Sequence, residues 1–111
     1  MDNPESITSF DENDIESMVT YYFASRIRGD KKWKEVLPPE EEWNGRMKRK
    51  IEKHNGWKFL DFKNLGYSEG KYGQYVKVHV TIEYKGRQDG GEDEVEVSNK
   101  SGKWQIVSVP T

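Results

Sequence analysis

The sequence predicts an α+β domain in which N-terminal helices pack on one face of a curved four-stranded antiparallel meander. Three observations carry that prediction. Residues 74–84 (QYVKVHVTIEY) set Val76, Val78, Val80, Ile82 and Tyr84 in alternation with Tyr75, Lys77, His79, Thr81 and Glu83, the period of a long strand with one buried and one wet face. Residues 11–30 instead repeat apolar side chains at helical spacing. All helical patterning precedes all strand patterning, so consecutive strands with short links form a meander and the helices must cover its apolar face.

The first helix is carried by the stripe Ile15, Met18, Val19, Tyr22, Phe23 and Ile27. Asp11 or Asn13 is the expected N-cap, Arg26 and Arg28 suit the negative end of the helix dipole, and Gly29 supplies a left-handed close. Asp30 then caps a short helix through Trp33, Val36 and Leu37, which Pro38 and Pro39 end. A third helix is expected from Pro39, with Trp43, Met47 and Ile51 at four-residue steps and Asn55-Gly56 closing it; Gly45 inside weakens it by ~1 kcal/mol relative to Ala. From Trp57 the period is that of strands: 57–67, then 74–84, then 92–99 after a turn over 85–91, then 103–109 after a hairpin at 99–102. Residues 1–10 carry no period and read as a flexible segment ahead of a single domain spanning 11–111.

Composition narrows the function classes. Hydrophobic residues make up 32% and charged residues 34%, a polar balance offset by four Trp, six Tyr and four Phe that supply a thin aromatic core. The formal charge of −2 gives no field to recruit nucleic acid, so no nucleic-acid partner is expected. The absence of cysteine removes disulfides and thiol chemistry without fixing a compartment. No run reaches the ~20 apolar residues of a membrane span, and the N-terminus lacks a basic, apolar leader, so the chain as given reads as soluble.

The passage MVTYYFASRIRGDKKWKEVL, with Gly29-Asp30 followed by Trp33 and Leu37, and the closing stretch SGKWQIVSV resemble the nuclear-transport-factor-two-like superfamily, the cone-shaped fold also called cystatin-like. Within it the chain looks most like short bacterial domains with no established reaction. The resemblance implies a sheet curled around a pocket, dimers formed through the outer sheet face, and, for many such domains, export or lipid anchoring. Enzymes of the superfamily place an acid or His inside the cone, and no such pair is matched in this chain.

Candidate sites follow from parity and composition. His79 lies on the face opposite the valines, which argues against a proton-transfer role inside the cone. His54 precedes Asn55-Gly56 and reads as a helix C-terminal cation. Asp61, between Leu60 and Phe62, is the one carboxylate that an inward orientation would make a general acid or base, with Tyr22 or Tyr84 as hydrogen-bond donor; the strand is apolar on both faces, so parity leaves its direction open. The basic run Arg46, Lys48, Arg49, Lys50 and Lys53 is matched by neighbouring Glu and reads as a solvated helix. Asp89, Glu92, Asp93 and Glu94 lack the spacing of calcium loops, and Gly90-Gly91 reads first as a hairpin turn, so no metal or other cofactor is expected. Asn99-Lys100-Ser101 satisfies a glycosylation sequon but sits where a hairpin wants Asn and Gly.

Two surfaces remain. Tyr22, Phe23, Trp43, Tyr84 and Trp104 point to the interface of helices and sheet, as core or as the lining of a pocket for a small apolar ligand. Tyr75, Lys77, His79 and Thr81 form the wet face, where Val107 and Val109 would add an apolar strip suited to a second copy. The expectation is a non-enzymatic binding or interaction domain, with a lyase or isomerase using Asp61 as the alternative.

Overall fold

The computed structural model describes residues 3–110. Two α-helices precede a four-stranded antiparallel sheet: α1 (Ile15–Arg28), α2 (Gly45–Asn55), β1 (Lys58–Glu69), β2 (Gln74–Tyr84), β3 (Arg87–Ser98) and β4 (Gln105–Ser108), in sheet order β1-β2-β3-β4. The helices pack on one face of the curved sheet, as the patterning predicts.

The N-cap of α1 lies one residue after Asn13 and three after Asp11, the two expected caps. Asp14 is the N-cap and its carboxylate accepts from the Ser17 N–H, while Asp11 closes a local turn by accepting from the Asn13 N–H. Gly29 ends the helix in the left-handed region at φ 84°. Asp30 then accepts from the Ser25 hydroxyl, from Arg28 Nε at 2.7 Å and from the Lys32 N–H at 3.0 Å, anchoring the 3₁₀ turn Lys32–Val36 against α1. Burial would raise the Asp30 carboxyl, but these donors outweigh it and hold the group at about 2.

The third helix expected from Pro39 is instead two pieces, a 3₁₀ turn Glu40–Glu42 and α2. Trp43 is extended because its indole N–H donates to the Pro38 carbonyl at 2.8 Å, and Asn44 caps α2 by accepting from the Met47 N–H. Gly45 is therefore the first residue of α2, where its flexibility costs little, and not an interior defect.

The segment read as flexible is docked over residues 3–10, while Met1 and Asp2 lie outside the described residues. Arg28 Nη1 donates to the carbonyls of Pro4 and Ile7, and the Phe10 ring lies 4.7 Å from that of Tyr21.

The expected turn over 85–91 is much shorter. Lys85 and Gly86 both have positive φ, 51° and 78°, the two-residue turn whose twist matches paired strands. β3 therefore pairs with β2 along its whole length, from Tyr84 opposite Arg87 to Gln74 opposite Val97. Gly90 and Gly91 are strand residues facing Thr81 and Val80, not a hairpin turn.

The core sits under α1. Met18, Val19, Tyr22 and Phe23 meet Phe59, Phe62, Val76, Val78, Val95, Val97 and Ile106, all buried, and the Phe23 ring stacks on Phe62 at 4.4 Å and 8°. Val109 is buried in this core and not on the outer face, because β4 ends at Ser108 and Lys50 Nζ holds the Ser108 hydroxyl and the Val109 carbonyl beside α2. The expected outer apolar strip is thereby reduced to the half-buried Val107.

Candidate functional site

The sheet is longer than its helical cover. Along β2, Val76 and Val78 are sealed, Val80 and Ile82 are half-buried, and Tyr84 is 46% exposed. Opposite them on the same face of β3 stand Val95, Asp93, Gly91, Asp89 and Arg87. Apolar bulk thus gives way to aspartate and glycine as burial along β2 falls from complete to partial. A Cβ built on Gly91 would meet nothing within 4 Å, so the missing side chain is itself part of an opening.

That opening is a cleft between the C-terminal end of α2 and the tip of the β2–β3 hairpin. Its outer part, about 740 Å³, lies among Glu52, Lys53, Trp57, Ile82, Tyr84 and Arg87. A second half-open hollow of about 340 Å³ adjoins it, sharing Lys53, Trp57, Ile82 and Asp89 and bordered by Phe59, Val80, Gly91, Asp93, Pro110 and His54. Lys53 Nζ lies 5.4 Å over the Trp57 ring and Lys85 Nζ 5.3 Å over that of Tyr84, so cations border both aromatic surfaces.

His54 is the least expected member. It is 1% exposed, stacked on Trp57 at 4.4 Å and edge-on to Phe59 at 6.0 Å. Both ring nitrogens are closed to solvent and neither makes a hydrogen bond of good geometry, the Pro110 carbonyl being close by. Burial, helped by the positive charges of Arg26, Lys53 and Lys50, pushes the imidazole down to about 3, although the nearby Pro110 carbonyl acts the other way. The residue is therefore a buried neutral imidazole, not the dipole-stabilising cation its position at the end of α2 implies.

A second buried polar group lies close by and is differently provided for. Arg26, 8% exposed, stacks its guanidinium 3.8 Å from the Trp33 ring and donates to the Tyr22 hydroxyl and, at 2.8 Å, to Asn55 Oδ1. This arrangement ties α1 to the end of α2 and explains why Tyr22 tolerates full burial of its hydroxyl.

The aromatic residues expected to form one pocket are dispersed. Tyr22 and Phe23 are fully buried core, and Trp104 packs half-buried against that core, its backbone N–H donating to the Glu12 carbonyl. Trp43 borders a shallow depression of about 140 Å³ with Lys34, Lys48 and Glu52. Only Tyr84 of the five lines the cleft. Its other aromatic walls, Trp57 and Phe59, belong to the run 57–62 after α2, whose apolar residues on both faces supply no parity to separate inner from outer.

Asp61 is placed by an irregularity. The register shifts between Phe59 and Asp61, so Phe59 opposes Ile82 and Phe62 opposes Val80 on the core face while Asp61 opposes Thr81 on the wet one. On that outer face Tyr75, Lys77, His79 and Thr81 stand beside Glu92, Glu94 and Glu96, with Lys77 Nζ 3.1 Å from Glu92. The acidic run is thus split: Asp89 and Asp93 share the valine face and Glu92 and Glu94 the other. Among the described residues no group of three or more His, Cys, Asp or Glu is arranged to hold a metal ion, and no helix is long and apolar enough to cross a membrane.

Compared with known proteins, the chain matches no family model, no curated protein and no solved structure.

Proposed function

We propose that this protein is a small-molecule-binding domain that takes an apolar or aromatic ligand into the cleft between α2 and the β2–β3 hairpin. The observation that carries the reading is the coincidence of an opening of about 740 Å³ with an apolar, aromatic floor continuing into a second half-open hollow of about 340 Å³. Concave sites with mostly apolar walls and a few polar groups are the usual form of ligand pockets. Helices first, then a curled meander flanking a cavity, supports grouping the domain with the nuclear-transport-factor-two-like cones. The lyase or isomerase reading gains nothing from the geometry, since Asp61 stands on the sheet face away from the cleft. Of the groups within the cleft, His54 stays neutral down to about pH 3, and the reading remains that of a binding domain.

The test is to titrate a neutral fluorescent probe, N-phenyl-1-naphthylamine, into the protein and into a Gly91→Val variant. Valine fits the strand and enters open space on the cavity side. Saturable fluorescence enhancement in the parent, weakened at least about ten-fold in Gly91→Val with the thermal midpoint maintained, is the expected result. Equal binding by both proteins overturns the assignment of the cleft.

A further inference from the structure

We infer that the rim of the cleft is a docking face for an anionic lipid bilayer, from which an apolar ligand enters; the inference rests on the cleft being the ligand site proposed above. An apolar ligand is scarce in water and concentrated in a bilayer, so a binding domain gains most by opening its site against one. Two independent features of the rim point to that surface.

The first is charge. Met47, Ile51 and His54 bury one face of α2, while Arg46, Arg49 and Lys53 stand exposed on another at steps of three and four residues. The stripe runs about 10 Å along the helix axis, and its last member, Lys53, lines the cleft. Across the mouth, the turn out of β2 and the start of β3 add exposed Lys85 and Arg87. Among the described residues, Arg46, Arg49, Lys85 and Arg87 enter no ion pair. The acidic side chains of the same outer mouth are Glu52 and Asp89, and Asp89 turns one carboxylate oxygen to the Gly90 N–H at 2.8 Å. On a chain whose formal charge is −2, the rim therefore carries a local excess of cations. Anionic headgroups attract basic side chains held within a Debye length of the surface.

The second feature is an aromatic lip on each side. Trp57 is half-buried and Tyr84 is 46% exposed, and each has a lysine over its ring, Lys53 at 5.4 Å and Lys85 at 5.3 Å. Amphipathic rings beside long-stemmed cations are the side chains that settle at headgroup level, the ring towards the acyl boundary and the ammonium towards phosphate. An acidic polypeptide would meet the same cations, but it would leave the paired rings and the apolar hollow between them unexplained. A bilayer accounts for both features.

The test is co-sedimentation of the intact protein, with no probe present, with phosphatidylcholine vesicles and with vesicles in which about one-third of the lipid is phosphatidylserine. Binding is expected only to the second. It should weaken about ten-fold or more in the double variant Arg46→Gln/Arg49→Gln, and by less than about two-fold in Lys71→Gln/Lys103→Gln. The second pair removes the same charge from the β1–β2 and β3–β4 connections, at the end of the sheet opposite the β2–β3 turn. All four side chains are exposed, so both variants are expected to fold. Tyr84→Ser should also weaken vesicle binding. Equal losses in the two double variants, or no preference for phosphatidylserine, overturn the inference. Binding to soluble poly-L-glutamate as tight as to the vesicles, with neither altered by Tyr84→Ser, makes an acidic polypeptide the partner and overturns it likewise. Failure of the cleft is read separately, from the probe titration of the parent and Gly91→Val without vesicles: equal probe binding there overturns ligand entry, while the docking face stands or falls by the sedimentation alone.

Discussion

The two halves of the sheet are built from the same strands and differ in what faces the core side. Under α1, Val76 and Val78 of β2 sit opposite Val95 and Asp93 of β3, and the ring of Phe23 seals the layer against Phe62. Towards the hairpin tip, Val80 and Ile82 sit opposite Gly91 and Asp89, and the end of α2 faces them across the cleft. The pattern of β2 is uniform from Val76 to Tyr84, so the difference is written in its neighbours. A strand can keep its alternation and still change from core to cavity wall when its partner strand loses bulk.

The largest effect belongs to the sealed half. Phe23 is fully buried and makes a parallel ring stack, so Phe23→Ala leaves a cavity that the surrounding valines cannot fill. A loss of about 3–5 kcal/mol in unfolding free energy, measured by urea denaturation, is expected. A loss below about 1 kcal/mol would mean that the closed half is no better packed than the open one, and the contrast would collapse.

The boundary between the halves is marked by His54, and it has a pH signature. Its imidazole is held at about 3 in the folded protein against an ordinary value near 6.5, so between those two values the unfolded chain binds the proton and the folded one does not. Stability contributed by neutral His54 is thus intact above about pH 6.5 and lost as pH falls towards 3, with a slope of at most ~1.4 kcal/mol per pH unit. Denaturant midpoints collected across this range should show the acid limb in the parent and a flatter one in His54→Leu. Asp30 acts in a lower window: its folded value of about 2 lies below the ordinary 3.8, so its contribution is complete above about pH 4 and disappears as pH falls through 2. Asp30→Asn should therefore be less stable than the parent at neutral pH and converge with it below pH 2, a window that does not overlap most of the His54 effect.

These contrasts also show how much of the molecule was readable beforehand. The class, the element order and the buried face of β2 follow from periodicity alone, because a helix of apolar stripe and a strand of alternating valines each have one stable way to sit. The cleft was not readable, for reasons that can be named. Gly90-Gly91 carries the composition of a turn, and only the tight Lys85-Gly86 connection reveals that β3 runs through it. Once that register is known, the inward parity of Asp89, Gly91 and Asp93 follows directly. Asp61 was unreadable because the register shift after Phe59 breaks the period at the very place where two faces are both apolar. His54 was misread because a histidine at a helix end reads as a solvated cation unless the depth of the next strand is known. The two helix-start errors, Asp14 for Asp11 or Asn13 and Asn44 for Pro39, are of another kind: several good capping residues lie close together and tertiary contacts choose among them.

The open half predicts a smaller effect in the opposite direction. Gly91→Val adds a strand-favouring side chain where nothing lies within 4 Å, so stability should stay level or rise by less than about 1 kcal/mol while the cavity is filled. A clear destabilisation in thermal melts would indicate that the space is not open, and the difference between the halves would be one of packing quality alone.

The smallest effect lies outside both halves, on the wet face. Lys77 and Glu92 are each more than half exposed and 3.1 Å apart, so solvent and salt screen their attraction and Lys77→Ala should cost no more than about 0.2–1 kcal/mol. Two features distinguish a merely solvated face from one that meets a second copy. On a solvated face the small loss shrinks as salt is added and does not depend on protein concentration. On a paired face the same substitution removes a charge from an interface, and the change in midpoint grows with dilution as the assembly dissociates. With Val109 withdrawn into the core and Lys77 beside Glu92, Glu94 and Glu96, charged side chains outnumber apolar ones around Lys77, which favours the first outcome. A midpoint shift that is independent of concentration, checked alongside native mass, would leave the cleft as the one place where this sheet stops being core without becoming plain surface.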